Sequence, residues 1–235
     1  MQKVGNLSWL EKNYKFQKIA FAIDELIVLN ASRNNKSISE FSAMLNSLVN
    51  SVFIPIAAGG GVRHMEDASI LFKNGADKIV LNSVFVEKPS FIRELVKNYG
   101  TQSIVASIDY KKVDGKNEVF INNGNNSVSY SLIEYIKYIE DLGVGEIYLN
   151  SIDKDGSGFG YDLDTIKDIG DNIKVPLIFA GGAGNEAHLL KGLKENSINA
   201  VATANLFNFI GDGLPNARKK IIDNGINIAN WNDNI

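Results

Sequence analysis

The amino-acid sequence predicts an α/β fold, a (β/α)8 TIM-type barrel built of two half-barrel repeats. Three observations predict it. Short β-branched apolar runs alternate with longer segments of helical period, the signature of βα units around a parallel sheet. The short runs are apolar throughout rather than alternately polar, as strands covered on both faces must be. The second half of the chain also restates the first. A chain of 235 residues suits one barrel domain, residues 1–235, with half-barrels of about 1–102 and 103–235.

Taken in order, the strands are expected at Glu25 to Leu29, Phe53 to Ala57, Lys78 to Leu81, Ser103 to Ile108, Glu146 to Leu149, Pro176 to Phe179 and Ala200 to Ala202. The helices between them have readable ends. Ser37-Ile-Ser-Glu40 is a capping box ahead of the apolar stripe Phe41, Leu45 and Leu48. Gly75, Gly100 and Gly143 follow periodic segments, where a left-handed residue closes a helix. Asp114-Gly115, within Lys111 to Lys116, predicts a hairpin turn.

The repeat is visible in three places. Ile54-Pro-Ile-Ala-Ala-Gly-Gly-Gly61 aligns with Val175-Pro-Leu-Ile-Phe-Ala-Gly-Gly182, and Asp24-Glu-Leu-Ile-Val-Leu29 with Gly145-Glu-Ile-Tyr-Leu-Asn150, both at an offset of 121. Residues 74–85 align with 196–207 at an offset of 122. That period is too long for a solenoid and fits two four-unit halves. The second half opens on the strand that ends at Asp109, whose first-half counterpart would fall before Met1. Seven strands are therefore visible where the symmetry asks for eight, and the first strand is expected to be missing. The chain starts instead with a helical pattern through Trp9, Leu10 and Tyr14.

Composition narrows the function. A net charge of −3 gives no reason to expect nucleic acid or an anionic membrane as partner. With no apolar run long enough to span a bilayer and no basic-then-apolar leader, the expected location is the cytoplasm. The absence of cysteine excludes disulfides, thiolate metal sites and cysteine nucleophiles. Two histidines do not suggest a histidine-rich metal site, and neither metal nor cofactor is expected.

In a barrel of this kind the chemistry sits at the C-terminal ends of the strands. Ala58-Gly-Gly-Gly61 and its repeat mate Ala180-Gly-Gly-Ala-Gly184 can bring backbone amides close to an anion, with a helix N-terminus behind them. Asn82-Ser83 and Ala204-Asn205 end neighbouring strands and would complete a phosphate cradle in each half, implying a substrate with two phosphates. Asp109 leaves the apolar run Ser103-Ile-Val-Ala-Ser-Ile108, where partial desolvation suits a general acid/base. The segment Asn150 to Asp162 imitates part of a calcium loop through Asp153, Asp155, Ser157 and Gly158. A strand precedes it, however, and its twelfth position is Asp164, so a glycine-rich lid carrying Asp155 is the better reading. His64 and His188 are expected at surface positions in helices.

These motifs, in this order, resemble the cyclase subunit (HisF) family of imidazole glycerol phosphate synthase from Gly5 to Trp231. The shared segments include Asp24-Glu-Leu, Gly59 to Gly61, Gly75-Ala-Asp-Lys78, Asn82-Ser83, Ile108-Asp109, Val113-Asp-Gly115, Gly143-Val-Gly-Glu-Ile147, Ser151 to Gly156, Gly160-Tyr-Asp162 and Gly181 to Gly184. The resemblance implies a heterodimer with a glutamine amidotransferase subunit (HisH-like) docked on the N-terminal face of the barrel. Ammonia from that partner crosses the barrel and attacks a small ribulosyl carboxamide bearing two phosphates. It further implies Asp109 as the catalytic acid. Gly60, Gly61, Asn82 and Ser83 would serve one phosphate, and Asp155, Gly156, Gly181, Gly182, Ala204 and Asn205 the other, with Asn150 beside the substrate. Glu25, Lys78 and Glu146 match the charged ring at the ammonia entrance, and Asp77 a partner contact.

Departures from the family pattern leave alternatives open. A second catalytic aspartate, a substrate-binding lysine and the gate arginine lie on the first strand of the family, so weak cyclase turnover is expected. Asn30 stands in place of aspartate, Asn150 of threonine, and Ala180 and Asn205 of serine. Such changes resemble HisF-like paralogues of surface-polysaccharide synthesis, which direct ammonia towards amidation of a nucleotide sugar. A non-catalytic, partner-binding subunit is the third reading.

Overall fold

A change of period from strand to helix repeats along the whole described chain. The computed structural model describes residues 11, 19, 21–32, 37–204 and 212–230. In order the elements are β1 (Leu26–Leu29), α1 (Ile38–Val49), β2 (Ile56–Gly59), α2 (Met65–Lys73), β3 (Lys78–Leu81), α3 (Val84–Glu87), α4 (Pro89–Tyr99), β4 (Ile104–Val113), β5 (Lys116–Ile121), β6 (Asn126–Ser131), α5 (Leu132–Asp141), β7 (Glu146–Ser151), α6 (Leu163–Ile169), β8 (Leu177–Ala180), α7 (Glu186–Leu193), β9 (Ala200–Val201) and α8 (Gly213–Asp223). This is the βα alternation of a TIM-type α/β fold. Trp9, Leu10, Tyr14 and Asn205 lie outside the described residues.

Two compact units divide the chain, Met1–Ile79 with Leu206–Ile235, and Val80–Asn205; the passage from one to the other falls inside β3. In the first unit β1 and β2 are parallel, Leu26 opposite Ile56 and Leu29 opposite Gly59. Asp77 fixes the start of β3 against β2 twice. Its amide donates to the Ile56 carbonyl and its carboxylate accepts from the Ile56 amide, both at 2.8 Å. Helix α1 starts where Ser37 Oγ accepts from the Glu40 amide at 3.2 Å, then buries Phe41, Leu45 and Leu48, the stripe that a 3.6-residue period puts on one face.

The second unit holds the longer parallel array. In β4, β7, β8 and β9, Ile108 stands opposite Leu149, Leu149 opposite Phe179, and Phe179 opposite Val201. Ile108, Leu149 and Phe179 are buried, as are Ile92 and Leu95 of α4 and Tyr135 and Ile139 of α5. Gly75, Gly100 and Gly143 take the left-handed φ values of 95°, 85° and 86° at the helix ends.

Two strands differ from the sequence reading for physical reasons. The run expected from Phe53 forms its strand only from Ile56, and Phe53 is 79% exposed. Pro55 precedes the strand because it has no N–H to give the ladder, and offers only its carbonyl, to the Leu26 amide at 3.0 Å. Strand β4 runs five residues past Ile108 to Val113, because it turns through Asp114 (φ 49°) and Gly115 (φ 78°) into antiparallel β5. Both central residues of a two-residue type I′ turn need positive φ, which is why Asp-Gly sits there. Strand β6, which extends this hairpin, was not anticipated.

An ion pair braces the first unit. Arg218 of α8 is buried, and its Nη1 and Nη2 donate to the two Asp24 carboxylate oxygens at 3.1 and 2.8 Å, while Nε donates to the Ala229 carbonyl at 2.9 Å. Arg218→Met keeps the apolar stem and leaves these acceptors without donors. It should cost about 2 kcal/mol of stability, read as a lower urea midpoint with unchanged slope; an unchanged midpoint would show that the brace is idle.

Candidate active site

Parallel strands all point their C-terminal ends the same way, so residues in matching register form a row across one end of the sheet. In the second unit this row is Asp109 of β4, Asn150 of β7 and Ala180 of β8. Asn82, the residue after β3, joins it. Asn150 Nδ2 donates to Asp109 Oδ1 at 2.9 Å, and Asn82 Nδ2 donates to Asp109 Oδ2 at 3.1 Å and to the Ser107 carbonyl at 3.0 Å. Each carboxylate oxygen therefore has one amide donor.

The apolar strand behind Asp109 keeps water away, and this burial pushes its carboxyl pKa up from the ordinary 3.8. The Asn150 bond pulls it down, the nearby Asp155 charge pushes it up again, and the Asn82 bond, like that of Asn150, pulls it down; the balance is upward. Tyr148 belongs to the same face, because alternation along β7 sets Glu146, Tyr148 and Asn150 on one side. Burial foremost, then the charges of Asp109 and Asp155, hold its phenol above the usual range, so it stays a neutral donor. The sequence reading passed over Tyr148. Its signal was the period of two between Glu146 and Asn150.

The other predicted residues of this unit fall as follows. Ser83 is engaged: its hydroxyl donates to Asn82 Oδ1 at 3.3 Å and accepts from the Asn122 amide at 3.1 Å. Asp155 and Gly156 lie exposed on the turn after β7, with the Asp155 amide on the Ser151 carbonyl at 2.9 Å. Gly181 and Gly182 follow β8 and are buried. Gly182 has φ 106° and leaves no room for a side chain, since a Cβ there would sit 2.2 Å from the Gly160 carbonyl oxygen. The Gly160 amide donates to the Gly182 carbonyl at 2.7 Å, so two backbone loops lie directly on each other. Ala204 is exposed. Glu146 begins β7, opposite Val105, at the other end of the strand from Asn150.

In the first unit, Gly60 and Gly61 take φ values of 96° and 89° after β2. A Cβ at Gly60 would meet the Asn30 carbonyl oxygen at 2.5 Å, so the end of β1 itself demands glycine there. Lys78 Nζ and Glu25 Oε2 pair at 2.8 Å, both largely shielded. Asp77 is occupied by the Ile56 amide, as described.

The two histidines part company. His64 is exposed at the start of α2, as expected. His188 is instead half-buried: its Nδ1 accepts from the Gly184 amide at 3.1 Å and its ring lies against Gly160. Where the calcium-like spacing occurs, Asp153 is turned to accept the Lys112 amide at 2.8 Å. No cluster of His, Asp and Glu suited to a metal is found among the described residues, and none of their helices is long and apolar enough to cross a membrane. A hollow of about 320 Å³ on this unit is lined by Lys154, Phe159, Tyr161, Lys167, His188 and Lys191, apart from Asp109 and its amides.

A parallel βα fold with a shielded carboxylate where the parallel pairing of its strands ends defines a TIM-type enzyme class. Comparison with known proteins narrows it. Residues 7–211 match the family described as Histidine biosynthesis protein. The chain is 43% identical over 98% of its length, and 86% of the relative's, to a protein provisionally named imidazole glycerol phosphate synthase subunit hisF2 of Parasynechococcus marenigrum (strain WH8102). It is 35% identical, over 87% of its length and 82% of the relative's, to the imidazole glycerol phosphate synthase subunit HisF of Chlorobium luteolum. With the HisF of Pyrobaculum aerophilum it shares 33% over 87% of its length and 81% of the relative's. The chain belongs to the HisF family, the lyase-type cyclase subunits of imidazole glycerol phosphate synthase.

Because the folded-state pKa of Asp109 lies above its unfolded value, the fold favours the neutral acid. That contribution is full below pH 3.8 and is lost as pH rises through the folded value, leaving the ionised group unfavourable near neutrality. Asp109→Asn should therefore raise the urea midpoint at neutral pH, by a gain that shrinks as the pH is lowered. A pH-independent difference, or a loss at neutral pH, would contradict the burial of this charge.

Proposed function

We propose that this chain is an ammonia-using cyclase of the histidine-biosynthesis type, acting on a small ribulosyl carboxamide with two phosphates, and that Asp109 is its general acid/base. The observation that supports this is the Asp109 carboxyl group, set where the parallel pairing of β4 with β7 ends, shielded on its strand side and gripped at each oxygen by an amide. A general acid must hold a proton close to the working pH, and an upward pKa moves Asp109 that way. Tyr148 adds a neutral hydroxyl donor on the same face. In the second unit Asn82, Ser83, Asn150, Asp155, Gly156, Gly181, Gly182 and Ala204 are assigned to the substrate and its phosphates; in the first, Gly60 and Gly61 are. Backbone amides of glycine turns suit phosphate oxygens because no side chain intervenes.

Ammonia comes from a HisH-like glutamine amidotransferase in a heterodimer, a reading supported by relatives that are named as subunits of a synthase. Glu25 and Lys78, and separately Glu146, are assigned to ammonia entry, and Asp77 to partner contact. The same reading assigns the protein to the cytoplasm.

Asn150 favours a second reading. Its amide stabilises the ionised form of Asp109 and so leaves less of the proton-bearing form near neutral pH, and the higher identity is to the protein named hisF2. A paralogue that directs ammonia to the amidation of a nucleotide sugar would tolerate this change.

Ammonium-dependent turnover of the bis-phosphorylated ribulosyl carboxamide by the purified chain decides between them. The cyclase reading expects product, with Asp109→Asn lowering kcat on the order of 10²–10⁴-fold and KM changing little. No product, together with stimulation of the partner's glutaminase activity, supports the paralogue or a non-catalytic subunit.

A further inference from the structure

The loop that carries Asp155 leaves β7 at Ser151 and reaches α6 at Asp162. It contains Gly156, Gly158 and Gly160, all with positive φ, and so much glycine gives it little conformational preference of its own. Contacts from outside must hold it, and the β4–β5 hairpin supplies them at both ends. At the near end the Ile152 amide donates to the Tyr110 carbonyl and the Lys112 amide to Asp153 Oδ2, each at 2.8 Å. At the far end the Tyr110 hydroxyl donates to Asp162 Oδ2 at 3.2 Å, and Lys112 Nζ lies 3.6 Å from Asp162 Oδ1. Thr165 donates to the same Oδ2 at 2.8 Å and is itself held by Asn117 of β5 at 3.1 Å. Tyr110 and Thr165 are fully buried and Asp162 is 8% exposed. The Tyr110 and Thr165 bonds to Asp162 therefore form where water does not compete for them.

We propose that Tyr110 and Asp162 are positioning residues: they close the 152–161 loop onto the β4–β5 hairpin and thereby hold the Asp155 carboxylate near Asp109. The arrangement follows from strand alternation. Asp109 and Tyr110 are consecutive in β4 and point to opposite faces, so one stretch of strand presents the acid on one side and the loop's anchor on the other. The catalytic consequence rests on the reading of Asp109 as acid/base; the anchoring does not.

The test needs no substrate, so its failure is distinct from a failure of the cyclase reading. The titratable groups that act on Asp109 are Asp155 from the loop, while Tyr148 from β7 stays neutral across the range. The Asp109 titration midpoint is measured by carboxyl carbon NMR, assigned through Asp109→Asn, and loop protection by amide hydrogen exchange. Asp155→Asn should lower the midpoint by removing a like charge. Tyr110→Phe and Asp162→Asn should lower it in the same direction, and should speed exchange of the 154–160 amides about tenfold or more. Added to Asp155→Asn, neither should lower the midpoint further. A midpoint that stays at the wild-type value in both anchor variants, or a full further drop on top of Asp155→Asn, overturns the proposal. Should Asp162→Asn fail to fold, Tyr110→Phe, which removes one hydroxyl only, carries the same two measurements.

Discussion

An ionisable carboxyl set where the apolar run of β4 gives out constrains everything around it. Water would solvate Asp109 most cheaply, but the apolar run of β4 behind it and β7 beside it limit water's access. The protein has to supply the missing donors itself, and it does so with two primary amides from neighbouring strand ends, Asn82 and Asn150. Neutral amides stabilise the anion without cancelling its charge, so Asp109 keeps an elevated affinity for protons where a lysine or arginine partner would have abolished it. The register of β4 on β7 and the placement of Asn82 after β3 are therefore chemical as well as architectural facts.

Much of the fold was legible because parallel strands announce themselves as short apolar runs, and β3 matched its predicted bounds from Lys78 to Leu81. The failures have local causes. Pro55 delayed β2 by withholding a donor, and β4 outran its apolar segment because its outer part is a hairpin whose charged residues, such as Lys111 and Lys112, do not look like a core strand. Strand β6 reads Asn-Ser-Val-Ser-Tyr-Ser and is mostly exposed, so nothing in its composition asks for burial.

The site was legible in part. Asp109, Asn82 and Asn150 were all singled out, and they meet. Tyr148 was passed over because a tyrosine in an apolar run looks like packing until its register opposite Ser107 is known. The paired glycine turns show a different lesson. Gly60 and Gly182 were read as openings for an anion, yet each also faces a backbone oxygen too close for any Cβ, so glycine there is required by packing whatever the ligand. A repeated Gly-Gly turn by itself therefore underdetermines its purpose. Family membership supplies the reaction class, and the amide of Asn150 on Asp109 sets the local chemistry of the carboxyl.

The alternation of Asp109 and Tyr110 ties two functions to a single phase of β4. Insertion or loss of one residue upstream in that strand would exchange their faces, burying the phenol among the site amides and turning the carboxylate towards Asp162. Changes in this strand can thus be accepted only in pairs of residues. The hairpin beyond Val113, where no such parity applies, is the part of the strand free to lengthen or shorten over evolutionary time.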